Sequence, residues 1–225
     1  MARVFPFKGI RPLRDKANLV TTRSYLSYSD EILKEKLDNN PFTFLHILNP
    51  EYNNKFKHTG IQKFKLIKKK FLSFIDSEIL IKEKNDVFYI YQQKTKSKKV
   101  TGIIAKTSIE EYNNGKIKKH EETILERENM FKEYLGETKF NADPVLLTHT
   151  KNLDIENIIN KYILERSEYE FTTTDKICHK LWIIDSKKDI NKIQKSFNSI
   201  DALYIADGHH RSASSSLLSK ESNLK

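Results

Sequence analysis

Apolar positions along this chain recur with either helical or alternating spacing, and the breaks fall at Pro, Gly and Asn. Val4, Phe5, Phe7 and Ile10 predict a short first strand ahead of an Arg11-Pro12 break. Ser29-Asp30-Glu31 reads as a helix start, with Ile32, Leu33 and Leu37 forming a stripe up to Asn39-Asn40-Pro41. Phe42 to Leu48 (FTFLHIL) predicts a buried strand that Asn49-Pro50 ends. From Gly60 on, Ile61, Phe64, Ile67, Phe71 and Ile75 recur at helical spacing while lysines fill the other face. Asp86 to Tyr91 and Val100 to Ala105 predict a hairpin whose tip, Gln92 to Lys99, is polar and Lys-rich.

Further on, Asn113-Asn114-Gly115 is a turn, followed by IKKHEE (Ile117 to Glu122). A helix through Met130, Phe131 and Leu135 is expected to stop at Gly136. Val145 to Thr148 is a strand behind Pro144, and Ile155 to Leu164 is a helix. Tyr169 to Thr173 and Cys178 to Ile184 form a second hairpin around Asp175-Lys176. Ile190 to Phe197 is helical. Ala202 to Ala206 is a strand feeding Asp207-Gly208-His209-His210-Arg211, and the small residues after it open a helix. Strands come both in hairpins and alternating with helices, so the class is α+β, a mixed sheet with flanking helices. A composition change near Asn113 divides a Lys- and Phe-rich region, 1–112, from a region carrying the motif, 113–225.

Composition narrows the partners. One cysteine, Cys178, excludes an internal disulfide and any multi-cysteine zinc site, so a reduced, cytoplasmic setting is expected. The start, MARVFPFKGIRP, lacks the apolar run of a signal peptide. No stretch approaches the roughly 20 apolar residues of a membrane helix, so no membrane partner is expected. A net charge of +10 invites nucleic acid, but the excess is spread as lysine and reads as a solvated face.

The chemistry concentrates in Asp207–Arg211. Gly208 permits a sharp turn that a side chain would hinder. Arg211 offers a planar fork for phosphate oxygens. Ser212, Ala213 and Ser214 open a helix whose unpaired amides point at whatever fills the turn. His209 and His210 add donors or ligands, and Asp207 suits a divalent cation shared with phosphate. The alternative is a capped helix, which two adjacent histidines beside an arginine would serve poorly. His120-Glu121 reads on spacing alone as a solvated strand edge; a general base is the other reading. Cys178 and His46 read as core residues, and His58 and His149 have no partners at ligand spacing. No Walker loop, GxGxxG or HExxH occurs.

IADGHHRSAS resembles the phosphate-binding signature of the ParB/sulfiredoxin superfamily. The whole chain resembles the N-terminal portion of a bacterial family, domain of unknown function 1015. The pieces that carry this are PFKGIRP, NPFTFLHILNP, YIYQQ, TGIIA, KKHE, NADPVLLT, LWIID and ALYIADGHHRSAS. Members run longer, so the resemblance implies a chain continuing beyond residue 225. It also implies a ParB/sulfiredoxin-like core in the C-terminal half.

Free L-serine kinases of the ParB-like fold carry a His-Glu pair, an Arg-Glu pair, a Pro-Leu-Leu strand and an Asp-Gly-His-His-Arg turn. Similar here are His120-Glu121, Arg127-Glu128, Pro144 to Leu147 and Tyr204 to Arg211. The resemblance implies Glu121 as the base for a serine-like hydroxyl, with His120 in support. It implies Asp207, Gly208, His209, His210, Arg211 and Ser212 as the nucleotide-phosphate and Mg2+ site. The stretch between the motifs is longer here, and Ser212 replaces an aromatic residue, departures that bear on acceptor specificity more than on phosphate binding. Sulfiredoxin chemistry needs a cysteine where His209 stands, and without a thiolate that route is closed. The expected function is phosphoryl transfer from ATP or ADP, with Mg2+, to a small hydroxyl acceptor. The alternative is a non-catalytic nucleotide-binding switch or a DNA-associated module.

Overall fold

The computed structural model describes residues 3–23 and 27–222, which fall into two units interleaved along the chain. Residues up to Gly9, Lys84–Gly136 and Phe140 onward make the first; Ile10–Glu83 and Glu137–Lys139 make the second. Asn113, where composition changes, lies inside the first unit. The crossings at 9/10 and 83/84 carry no Pro-, Ser- or Gly-rich linker to mark them.

The first unit opens with β1 (Val4–Phe5), and the chain then builds the second. That unit holds β2 (Ile10–Pro12), α1 (Ala17–Val20), α2 (Asp30–Asn39), α3 (Leu45–Leu48), α4 (Gly60–Asp76) and β3 (Leu80–Lys82). Ser29 starts α2 by accepting the Ile32 amide, as Ser at an N-cap does. Helix α4 buries Ile67, Phe71 and Phe74, the 3-to-4 spacing of one helical face, while Ile61 at its start stays half exposed.

Two expectations are corrected in this unit. Arg11-Pro12 does not break the first strand region but lies within β2, which pairs antiparallel with β3. A two-stranded ribbon has only edges, where proline is tolerated. FTFLHIL is not a strand: its second half is α3. The Asn40 and Thr43 side chains accept the Phe42 and Leu45 amides, turning the backbone before it can extend.

The first unit resumes with β4 (Phe88–Lys94), β5 (Lys99–Ile104), β6 (Lys106–Thr107), α5 (Ile109–Asn113) and β7 (Ile117–Lys118). Then come α6 (Leu125–Thr138), β8 (Leu146–Thr148), α7 (Leu153–Ile163), β9 (Tyr169–Thr172) and β10 (Cys178–Ile184). The chain closes with α8 (Lys187–Asn198), β11 (Leu203–Asp207) and α9 (His209–Ser222). Helix α6 passes Gly136, its expected stop, and left-handed backbone falls instead at Lys139 (φ 61°).

One antiparallel sheet runs β5-β4-β10-β9 and joins both predicted hairpins. Its pairs Phe88–Ile184 and Ile90–Trp182 face a core completed by Ile155, Ile158 and Tyr162 of α7 and Ile193 and Phe197 of α8. Asn152 and Ser186 cap these two helices. The second sheet, β7-β11-β8, is mixed: β7 runs parallel to β11 and β8 antiparallel. The architecture is therefore α+β with a mixed sheet. Among the described residues, no helix is long and apolar enough to cross a membrane.

Candidate functional site

Strand β11 alternates, with Leu203 and Ile205 almost fully buried and Tyr204 exposed. Its pairing with β8 shifts register between Ile205 and Asp207, where Asp207 still faces Leu146, and Gly208 follows at φ 96°. That φ lies where side chains are strained. A Cβ at Gly208 would also lie 3.1 Å from Arg211 Nε, Arg211 Nη2 and Val145 Cγ2. Glycine here is required twice over.

Topology gathers the candidates at this turn. Because β7 is parallel to β11, with Leu203 opposite Ile117 and Tyr204 opposite Lys118, both strands end at the same edge. His120 and Glu121 leave β7 there, as Gly208 and His209 leave β11. Strand β8 is antiparallel, so its beginning, preceded by Asp143 and Pro144, reaches the same edge.

His209 is 4% exposed, and its Nδ1 lies 3.2 Å from Glu121 Oε2. The His120 ring meets it edge-on, centroids 4.6 Å apart. With Nδ1 turned to the carboxylate, Nε2 is buried without a hydrogen-bond partner. His210 Nε2 accepts the Ile124 amide at 3.1 Å, which requires that nitrogen to be unprotonated. Both histidines of the motif thus hold the segment leaving β7, one at Glu121 and one at Ile124.

The Arg211 fork is engaged within the protein. Nη1 donates to the Asp143 and Pro144 carbonyls at 3.0 and 2.6 Å and pairs with Asp143 Oδ2 at 2.5 Å. Nη2 donates to Asp207 Oδ2 at 2.5 Å. These bonds leave over the Nε hydrogen and the second Nη2 hydrogen, which a phosphate would meet. Asp143 is the site residue that sequence reasoning missed; its only local signal is the Asp-Pro step ahead of a strand.

The amides of His209, His210 and Arg211 precede the first bond of α9, Ser212 N to Gly208 O at 3.0 Å, and so stand at the helix's positive end. Ser212 itself is half-buried and enters through its backbone. The serines after it are structural: Ser214 and Ser215 hydroxyls donate to the Arg211 carbonyl, and Ser216 donates to Asn113 Oδ1 at the end of α5. Of the Arg127-Glu128 pair, Arg127 is exposed, and Glu128 accepts from Thr123 at the start of α6.

Glu121, Asp207 and Asp143 side chains are 59%, 70% and 77% exposed, so the turn lies on an open face rather than in an enclosed cavity. Among the described residues, no group of three or more His, Cys, Asp or Glu side chains is arranged to hold a metal ion. A cation here would rely on Asp207 and on ligand oxygens.

The remaining histidines sit elsewhere. His179 is buried, bonded to Tyr91 and Thr173 and stacked between the Tyr91 and Phe171 rings; burial pushes its pKa down. His46 is half-buried with Nε2 3.1 Å from the Asn40 carbonyl, the satisfied histidine expected. His149 Nδ1 lies 2.7 Å from the Thr150 carbonyl. His58, which has no partner at ligand spacing in the sequence, has its Nδ1 2.7 Å from Glu51 Oε1.

Comparison with curated proteins finds no match, and comparison with solved structures finds none. A family model does match, over residues 4–225, which spans both units and the whole Asp207–Arg211 turn. The chain belongs to that family, described as protein of unknown function (DUF1015).

Proposed function

We propose that this chain binds a nucleotide over the Asp207–Arg211 turn and transfers a phosphoryl group to a small hydroxyl acceptor such as free L-serine, in the cytoplasm. The reading takes the C-terminal half as a ParB/sulfiredoxin-like core. The observation that carries it is the meeting of Glu121 with His209, which puts a carboxylate beside a glycine turn at a helix N-terminus. A phosphate needs donors and positive potential, and the first amides of α9 supply both. A hydroxyl acceptor needs a base within reach, and an exposed carboxylate at the same edge is one.

In this mechanism the acceptor oxygen attacks the terminal phosphorus of ATP or ADP. The bond from that phosphorus to the bridging oxygen breaks, the shortened nucleotide leaves with the electron pair, and Glu121 receives the hydroxyl proton. His209 orients Glu121 through Nδ1, with His120 packed on the same ring. Arg211 offers the phosphate oxygens its Nε hydrogen and its second Nη2 hydrogen. Mg2+ fits through the exposed Asp207 carboxylate together with phosphate oxygens, and when bound it would neutralise phosphate charge. Most of the catalysis in such a reaction is positioning and charge neutralisation, which suits a site made of backbone amides and one base.

The test is nucleotide turnover in magnesium buffer with and without L-serine, followed by the formation of phosphoserine. Acceptor-dependent turnover supports the reading. Nucleotide binding without turnover identifies a non-catalytic switch instead. Duplex DNA binding that falls steeply with salt, with no acceptor-dependent turnover, identifies a DNA-associated module.

A further inference from the structure

The second unit contains a carboxylate–imidazole pair that the proposed kinase chemistry does not use. Glu51 lies in the turn after α3, with its side chain only 10% exposed. Both of its oxygens meet His58, and Oε1 also accepts a long bond from Asn54 Nδ2 at 3.5 Å. Oε2 accepts the His58 backbone amide at 3.0 Å, and Oε1 lies 2.7 Å from His58 Nδ1. The His58 interaction holds the Glu51 carboxyl below its ordinary pKa, so the acid is charged where it meets the ring. The imidazole is 59% exposed, with Nδ1 occupied, so its open nitrogen is Nε2.

The cleft that the ring lines also carries two lysines. His58 shares a small cleft with Tyr52, Lys57 and Lys63, and Lys63 lies in the first turn of α4. Helix α4 has no side-chain cap at Thr59 and no acidic residue in its first turn, although both are usual there. An anion would be drawn to this end, where the ring presents a nucleophilic lone pair. A loop staple alone would explain the bond from the His58 amide to Glu51. It would not require the ring to turn Nδ1 onto the same carboxylate beside two lysines.

We infer that His58 is a phosphoryl acceptor at Nε2, with Glu51 as the residue that orients the ring and balances its charge, and with small acyl phosphates or phosphoramidates as donors. With phosphoramidate the step balances simply. The Nε2 lone pair attacks phosphorus, the P–N bond breaks, and ammonia leaves with the bonding pair. The proton stays on Nδ1, and the resulting phosphoimidazolium is paired with the Glu51 carboxylate. Lys57 and Lys63 offset the phosphate charge. The proposal is independent of the nucleotide site in the first unit.

The full-length chain is incubated with phosphoramidate at neutral pH and each of its seven histidines is followed by peptide mass spectrometry. The expected product is acid-labile and alkali-stable, and it forms on His58 at least about tenfold faster than on His120 or His149, which are also exposed. Glu51→Gln should slow His58 labelling by about tenfold or more while leaving His149 labelling unchanged, in a variant whose circular dichroism and urea midpoint match those of the parent chain. Should Glu51→Gln unfold the chain, Lys57→Ala with Lys63→Ala takes its place, and it should slow His58 alone. Equal labelling of the exposed histidines, or a His58 rate indifferent to these variants, overturns the proposal.

Discussion

Glu121 and His209 are brought within 3.2 Å by the parallel pairing of two short strands, and the burial of the pair is lopsided. The imidazole is 4% exposed and the carboxylate 59%. The buried partner fixes the exposed one, which is the order needed to aim a base at a ligand arriving from solvent. Glu121→Gln keeps the shape and removes the base. It should leave nucleotide affinity nearly unchanged and cut turnover by about 10²–10⁴-fold. Turnover at the normal rate in this variant would remove the base from the mechanism.

His209 makes a second, less obvious prediction. Its buried Nε2 has no hydrogen-bond partner, an omission that costs about 1–3 kcal/mol. His209→Phe removes this orphan while losing the Glu121 contact, whose other member is exposed and returns to water. Stability measured by urea unfolding should therefore change by no more than about 1 kcal/mol, the near-neutral outcome of replacing a polar group by an apolar one of similar shape. Turnover should fall, because Glu121 loses its guide. A large destabilisation would mean that the Nδ1 bond outweighs the orphaned nitrogen.

Gly208→Ala should destabilise by about 1–3 kcal/mol, the usual cost of holding a non-glycine residue in a sparsely populated backbone region. The added methyl meets Arg211 and Val145 at 3.1 Å, so the loss should include nucleotide binding as well as fold. Urea unfolding together with calorimetric titration would separate the two. Unchanged stability would contradict the φ of 96°.

Arg211→Ala tests whether the guanidinium serves a ligand or only its own chain. Its carboxylate partners, Asp143 and Asp207, are mostly exposed, and exposed ion pairs contribute at most about 1 kcal/mol. Loss of a charge-assisted bond to phosphate costs about 1.5–3 kcal/mol of binding. Stability should fall as well, because the Asp143 and Pro144 carbonyls lose their donor, so affinity is read on the folded fraction measured by urea unfolding. An unaltered affinity with the fold intact would limit Arg211 to bracing the turn.

Acid should weaken the fold in two stages. Burial lowers the His179 pKa below its ordinary 6.5, so the unfolded chain takes up a proton first and stability declines as pH falls below about that value. The Asp189 carboxyl is lowered below 3.8, first by its hydrogen bond from Lys161 and also by that from Tyr162. Its contribution is complete above 3.8 and is lost as pH falls through the lower folded value. Urea midpoints from pH 8 to pH 3 should show both declines. Asp189→Asn should flatten the second and leave the first.

Local pattern was enough for much of this molecule. The helical face of α4, the bodies of α7 and α8, the β9–β10 hairpin and the strand–Gly208–helix turn all follow from neighbouring residues. These features depend on periodicity and glycine's backbone freedom, which act over a few positions. FTFLHIL failed because a short apolar run is compatible with a buried strand or a buried helix, and the Asn40 and Thr43 side chains decided between them. No local signal states that β7 lies parallel to β11, or that the chain should leave the first unit at Gly9 and return at Lys84. Pairing between distant strands is set by the core that they jointly cover, so it exists only once the chain is folded. That pairing brings Glu121 to His209, sets Ile124 against His210 and delivers Asp143 to Arg211. The sequence supplied the reactive residues; the parallel register made them neighbours.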